Sequence, residues 1–599
     1  MPTIPSRADA DPRYTWNLAD IFPTDEDWQA AYAAAQRSPE KLRSYEGKLS
    51  DAKTLLEFLR YSDELSVVLD RLGNYAQRKA DEDTRSAAYQ EMSALFLNLA
   101  IETSRAAAFS TPEILSIPDE TLESFFREEP ALSQYRLLID RVLRQRSHVL
   151  SPEGEALLAA AGQLGQSPDD IFSYLNDADM RFDDVLDSEG VTHAVTHGSF
   201  SALLQSPDRT LRRAAFESLY SVYGQFRNTS AALLSAQMKQ LQFFADARRY
   251  GSALEASLDE NEVPAEIYHS LITAVRDGFP AMHRYVSLRK RLLGLDELHF
   301  YDLYTPIVAG QDIQVGYDEA WETALEALAP LGEDYLSLLR EGRENRWIDV
   351  YENQGKRSGA YSASVYGVHP YVLLNYTGKL DDMFTLVHEM GHSLHSCLSN
   401  RTQPVTYAHY VIFVAEVAST CNEALLMRHL LSKTNDPERR AYLINHFLEQ
   451  FRTTLYRQTL FAEFELWCSE QIRTGQALTA ESLSARYAGL CREYYGEEIV
   501  LDEQIALEWA RIPHFYYDFY VYQYATGFSA AVALSERILR EGEPAVRDYL
   551  AFLSGGSSKD PVSLLRGAGV DMSSPEPVRS ALRQFSDLVD ELEQLTKTK

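Results

Sequence analysis

The chain has 599 residues, 45% hydrophobic and 24% charged, the balance of a globular protein with a large core. Its 57 basic against 88 acidic residues leave a formal charge of −31, which excludes the basic footprint that nucleic acid demands and disfavours anionic membrane surfaces. No window approaches eighteen consecutive apolar residues, the opening Met1–Trp16 lacks the apolar run of a secretory signal, and four scattered cysteines (Cys397, Cys421, Cys468, Cys491) read as reduced thiols of a cytoplasmic protein.

Leu55, Leu56, Phe58, Leu59, Leu65, Val68, Leu69 and Leu72 recur at three- and four-residue spacing and predict a helix over 51–81. A second such run covers 84–109. Ser151-Pro152 and Ser167-Pro168 read as helix starts, a capping serine before a proline at the first helical position. Met180–Leu186 and Val191–Thr196, joined by Asp-Ser-Glu-Gly, predict a β-hairpin. That change of texture places a domain boundary near 180–200, giving a helical 1–195 and a second part, 196–599. Helices resume over 208–250 and 263–293, and two more fill 317–343.

Three strands are then predicted, in Trp347–Tyr351, Gly359–Val365 and Pro370–Tyr376. An exposed strand edge binds extended peptide by strand addition, and the glycine and small-residue content of 355–368 lets a backbone come close. Gly359 and Tyr361 are the candidate substrate contacts there. The same stretch also reads as an ordinary sheet linking two helical layers.

Phe384–His395 follows at once. His388 and His392 are four apart, so on a helix they lie about 40° apart on one face and converge on a single tetrahedral cation. Glu389 is rotated by about 100°, placed to act on water as the general base of a metal-assisted hydrolysis. Leu386, Val387, Met390 and Leu394 give the helix an apolar face, and Asp381 and Asp382 suit its N-terminus. His395 lies about two turns, or 10 Å, beyond His388, too far to share the ion, and reads as a core histidine or a support for the ligands.

A mostly apolar helix over 411–427 is interrupted by two carboxylates, Glu416 and Glu423, seven apart and so on one face. A buried carboxylate is costly unless paired or metal-bound. Glu416 is the candidate third ligand of a His₂Glu site open to water, and Glu423 the candidate for holding a ligand imidazole or nearby backbone. Pairing of both with arginines such as Arg428 or Arg452 is the alternative. Further on, five tyrosines fall within nine positions. From Pro513, His514, Tyr517, Tyr520 and Tyr524 are expected to form one helical stripe, whose imidazole and phenols could serve as oxyanion donors or simply as core. Tyr516 and Tyr522 are expected to point elsewhere.

His388-Glu-Met-Gly-His392, Ala415-Glu-Val-Ala-Ser-Thr420 with Asn422-Glu423, and the Ile512–Gly527 run together resemble oligoendopeptidase F, of the thimet-oligopeptidase-like (M3) family of zinc metallopeptidases. Tyr14–Phe22, Phe300–Tyr304, Gly555–Ser558, Pro561 and Gly569–Asp571 extend the likeness over essentially the whole chain. The resemblance implies a mainly α fold. Two largely helical halves would enclose a deep cleft, with a small sheet beside the zinc helix in a zincin-like core. Residues 1–195 would be an N-terminal domain of the oligopeptidase F type, and 196–599 the M3-like catalytic domain. It also implies an endopeptidase for internal bonds of short, unstructured peptides.

Carried over by motif, His388, His392 and Glu416 would bind one Zn2+, for which Mn2+ or Co2+ could substitute on this ligand set, and Glu389 would activate water. His514 and following tyrosines would hold substrate and stabilise the oxyanion. The spacing from His514 to these tyrosines is shorter than in the thimet branch; Tyr517 and Tyr524 are the preferred pair, with Tyr520 a substrate contact in reserve. The expected partners are short peptides, with neither nucleic acid nor membrane. Two rivals stand beside this reading. A metallocarboxypeptidase or dipeptidase would need a fixed cation such as Arg511, and a non-catalytic helical peptide-binding protein would make the motif accidental.

Overall fold

The apolar spacing along the chain becomes helix almost throughout the computed structural model, which describes residues 4–308 and 313–597. The mainly α class is borne out. Helix α1 (Ala52–Glu82) starts where Asp51 accepts the Thr54 N–H (2.9 Å), and buries Leu55, Leu56, Phe58, Leu59, Leu65 and Leu72. The helix from Pro152 is capped by Ser151 as expected. Ser167 caps nothing, because Gln166 is itself helical and the chain passes from one helix into the next. The hairpin forms from only two residues a side, Val185–Leu186 antiparallel to Thr192–His193, its turn gathered by Asp187.

Helix α2 (Arg209–Ala247) runs unbroken for 39 residues. The segment 263–293 splits at Gly278 into Ala265–Asp277 and Phe279–Leu292, because Pro280 fits the first turn of a new helix but not the interior of an old one. The expected pair over 317–343 is present as Tyr317–Ala327 and Glu333–Glu344. Part of the irregular 298–315 segment lies outside the described residues. The strands are β1 (Ile348–Asp349), β2 (Tyr361–Ala363) and β3 (Tyr371–Leu373). Helices α3 (Leu380–Thr402), α4 (Ile412–Lys433), α5 (Arg457–Arg473) and α6 (Tyr522–Glu541) complete the elements that matter below.

The chain packs as two units, each made of three segments. One comprises Met1–Ser147, Ile313–Leu426 and Leu534–Gly569. Here β3 is the central strand, parallel to β1 (Ile348↔Val372) and antiparallel to β2 (Ser362↔Val372), so β2 is an edge. Tyr371 and Leu373 turn into a core with Trp16, Leu72, Tyr75 and Leu99, which ties the N-terminal helices to the sheet. Directly after β3, Asp382 accepts the backbone N–H of Thr377 and of Lys379 (both 2.9 Å) and starts α3. Leu386, Val387, Met390 and Leu394 are each at most 1% exposed. At about 1.5–3 kcal/mol per large apolar side chain, this face anchors the motif helix.

The other unit comprises His148–Asp312, Met427–Ala533 and Val570–Lys599. Helices α2 and α5 pack together in it. Several of its buried charges are paired: Asp302, fully buried, takes Arg212 (2.7 Å) and Arg209 (3.0 Å), and Arg452 takes Glu449 (2.6 Å).

Candidate metal centre

One turn of α3 separates His388 from His392, and their ring centroids stand 4.8 Å apart at 84°. Helix α4 lies against this face. Glu416 Oε2 is 3.4 Å from His388 Nε2 and 3.5 Å from His392 Nε2. A tetrahedral ion with bonds of about 2.05 Å has ligand-to-ligand edges of about 3.3 Å, so the three donors suit one such cation. Among the described residues this is the one group of three or more His, Cys, Asp or Glu side chains so arranged.

The surroundings favour the same chemistry. Glu423 Oε1 takes His388 Nδ1 at 2.5 Å, so Nε2 is the ring nitrogen left facing Glu416. Burial pulls the His388 imidazole down, but Glu423, with Glu389 and Glu416, lifts it to about 9. Burial pushes the Glu416 carboxyl up, but His392, His388 and the Ser419 hydroxyl (3.1 Å) hold it at about 2. Three carboxylates that favour positive charge on the His388 imidazole also suit a divalent cation. Glu389, 7% exposed, is raised by burial, with His388 and His392 opposing. A raised carboxyl suits a group that takes a proton and gives it back.

Two motif residues to which the sequence alone gives no role make this approach possible. A Cβ on Gly391 would stand 2.6 Å from Ser419 Cα and 2.9 Å from the Ala418 carbonyl, so α3 and α4 meet backbone to backbone. Asn422, fully buried, donates to the Val387 carbonyl (3.3 Å) and accepts from the Tyr335 hydroxyl (3.0 Å). The signal in the sequence is the small pair Ala418-Ser419, which faces the glycine of the motif. His395 is buried and stacked on Tyr410 at 3.6 Å; burial holds its imidazole down at about 3.

The edge strand is tied to this helix through Ser362 and Ser393 (2.8 Å). Gly359 sits at φ +85° in open space, a conformation that suits glycine. The Tyr361 hydroxyl is engaged by Asp81 (2.5 Å), so that side chain turns toward α1.

His514, Tyr517, Tyr520 and Tyr524 belong to the second unit, and here the expected single helix is corrected. Pro513 opens only a 3₁₀ turn to Tyr516; the backbone then passes through positive φ at Asp518 (54°) and Phe519 (60°), and α6 begins at Tyr522. Two such non-glycine residues cost about 1–3 kcal/mol each. The four rings nevertheless cluster: His514 is 5.6, 6.2 and 6.1 Å from Tyr517, Tyr520 and Tyr524, and Tyr520 is 5.4 Å from Tyr524. Burial, with Arg457 adding, lowers the His514 imidazole, so it is neutral at pH 7. As expected, Tyr516 and Tyr522 face away, stacked on Phe172 (4.4 Å) and packed on Tyr268 (5.1 Å). Arg511 lies over the Phe200 ring (5.0 Å) with Glu508 at 3.8 Å.

The model of peptidase family M3 matches residues 202–584, and that of oligopeptidase F matches 113–182. The chain belongs to peptidase family M3. Oligopeptidase PepF of Bacillus subtilis is 47% identical over 593 residues, covering 99% of this chain and 88% of its own length. Two crystal structures share the fold over nearly the whole M3 chain. Oligoendopeptidase-F from Enterococcus faecium has a TM-score of 0.76 and is 38% identical, covering 96% of this chain and all of its own. A Chlamydophila abortus protein has a TM-score of 0.93 and is 35% identical, covering 99% and 100%. The resemblance to oligoendopeptidase F is thus borne out: this M3 protein is an enzyme, a metallopeptidase of that kind, which sets aside the non-catalytic rival. No helix among its described residues is long and apolar enough to cross a membrane.

Proposed function

We propose that the chain is a zinc-dependent endopeptidase that hydrolyses internal bonds of short, unstructured oligopeptides in the cytoplasm. The observation that carries this is the triangle of His388 Nε2, His392 Nε2 and Glu416 Oε2 beside the buried Glu389. His388, His392 and Glu416 would hold the metal, and two imidazoles with one carboxylate suit Zn2+, with Mn2+ or Co2+ as substitutes. When bound, the cation supplies Lewis acidity to the scissile carbonyl and to water.

The protein's own groups do the rest. Glu389 takes the proton of the attacking water and delivers it to the leaving amine. Glu423 keeps His388 in the tautomer that presents Nε2. His514, Tyr517 and Tyr524 donate to the substrate and to the developing oxyanion, and Tyr520 supplies a further contact. The β2 edge, with Gly359 and Tyr361, would take the peptide backbone in extended form. The two family models match on either side of residue 195, which supports reading 1–195 and 196–599 as two domains in sequence, although each packed unit draws on both.

The test is a peptide blocked at both termini, assayed alongside elemental analysis of the purified protein. The parent should cut it and carry one zinc per chain, and Glu389→Gln should keep the metal while losing about 10²-fold or more in kcat. Failure to cut doubly blocked peptides would move the reading to an exopeptidase. Near-parental turnover by Glu389→Gln would remove Glu389 from its role.

A further inference from the structure

The ring cluster stands on a turn whose conformation its own residues disfavour, so something outside the turn must impose it. Asp518 and Phe519 both have positive φ, and neither is glycine. The constraints come from three sides of the same unit. From α2, Gln237 Nε2 donates to the Tyr516 carbonyl (3.2 Å) and to Asp518 Oδ1 (3.0 Å). From the helix Ala253–Glu260, Ser257 Oγ donates to the Asp518 carbonyl (2.6 Å). From α5, Glu465 Oε1 accepts the Phe519 N–H at 2.8 Å.

Glu465 is the unusual member. It is completely buried on α5 beside Phe461 and Phe464, and its Oε2 has no hydrogen-bond partner among the described residues. An ion pair would hold such a group more cheaply, so its retention needs a reason. The Phe519 ring, 1% exposed, packs edge-on against Tyr268 at 6.0 Å, and Tyr268 donates to the Ala462 carbonyl of α5 (2.7 Å). Phe519 is therefore seated by both its ring and its amide, while Tyr517 before it is 48% exposed.

We propose that Glu465 is a positioning residue for substrate binding: its carboxyl fixes the Phe519 amide, locks the Asp518–Phe519 turn, and so sets where the rings of His514, Tyr517, Tyr520 and Tyr524 stand. This rests on the reading of that cluster as the substrate-holding group. The acceptor oxygen matters, not the charge. Burial, with Asp518 adding, pushes the carboxyl up to about 8, so at pH 7 it is a neutral acid that glutamine can imitate.

Two variants of the full chain separate these features. Glu465→Met keeps the volume and removes the acceptor; Glu465→Gln keeps an acceptor oxygen. Glu465→Met should speed amide exchange across 515–521 and lower kcat/KM about tenfold or more, with unchanged metal content, since a small displacement of substrate-holding groups costs this much. Glu465→Gln should restore both readouts to within about threefold of the parent. Parental exchange across 515–521 in Glu465→Met, or a Glu465→Gln protein as impaired as Glu465→Met, overturns the inference. The reading beneath it is tested apart, by His514→Ala and Tyr520→Phe: if these leave kcat and KM unchanged, the cluster does not hold substrate, whatever the exchange of 515–521 shows.

Discussion

Gly391 and Ser419 are in backbone contact: a single Cβ on the glycine would fall 2.6 Å from Ser419 Cα. The motif helix and the helix bearing Glu416 meet here backbone to backbone, so no flexible side-chain end can give way. Gly391→Ala must therefore separate α3 from α4. Overpacking of this kind costs about 1–3 kcal/mol. The metal should suffer more than the fold, because Glu416 Oε2 sits only 3.4–3.5 Å from both imidazoles and leaves with α4. Chelator competition and thermal melting, run together, check it: we expect a lower Tm and a metal affinity reduced about tenfold or more. An alanine protein with parental affinity would mean that the helices have slack elsewhere.

Glu423 reaches the metal site through His388 Nδ1, at 2.5 Å. Its removal leaves the imidazole free to turn and to change tautomer. Glu423→Ala is expected to weaken metal retention by about 10- to 100-fold. Glu416→Ala, which removes a ligand outright, should lose more. Dialysis against graded chelator followed by elemental analysis orders the two. Were Glu423→Ala the more damaging, the assignment of ligand and support would be reversed.

Tyr517 and Tyr524 flank His514 at ring distances of 5.6 and 6.1 Å. If their hydroxyls act on developing negative charge, phenylalanine at either position lowers kcat by about 10²-fold and leaves KM nearly unchanged. A rise in KM alone would instead make the phenol a ground-state contact, the role given above to Tyr520. Steady-state kinetics on one blocked peptide decides between them.

Glu465 also has a consequence for stability. Its carboxyl ionises near 4.5 in an unfolded chain but near about 8 in the fold. Between those values the folded protein holds a proton that the unfolded chain has released. The stability this group contributes is full below about pH 4.5 and is lost as pH rises through about 8, at up to about 1.4 kcal/mol per unit. Asp518, pushed up to about 6 chiefly by burial, titrates in both proteins and largely cancels. Chemical denaturation at pH 5.5 and 7.5 should show Glu465→Gln gaining about 2 kcal/mol on the parent between the two. Equal differences at both pH values would show that Glu465 is ionised in the fold.

Much of the fold was legible because helices announce themselves locally. The spacing of Leu55 to Leu72 and the pair of carboxylates Asp381 and Asp382 depend on a few neighbours only, and α1 and α3 lie where those signals put them. The boundaries that failed were those where one backbone preference met another. Ser167 could not cap because the helix before it had not ended, and Val263–Leu293 broke at Gly278.

By itself the sequence determined which atoms could bind a cation: two imidazoles four apart must share a helix face, and two carboxylates seven apart must share another. It also determined the family, through motifs spread along the whole chain. Only the tertiary structure decided how near those faces come, since Gly391 and Ser419 are distant in the chain and their contact is a matter of packing. It likewise decided the shape of 513–522. Tyrosine periodicity there argues for a helix, but Glu465, Gln237 and Ser257, each remote in sequence, hold two residues at positive φ and bend the chain away from it. Periodicity reports the face a residue would present; whether the backbone stays helical depends on partners that periodicity does not contain.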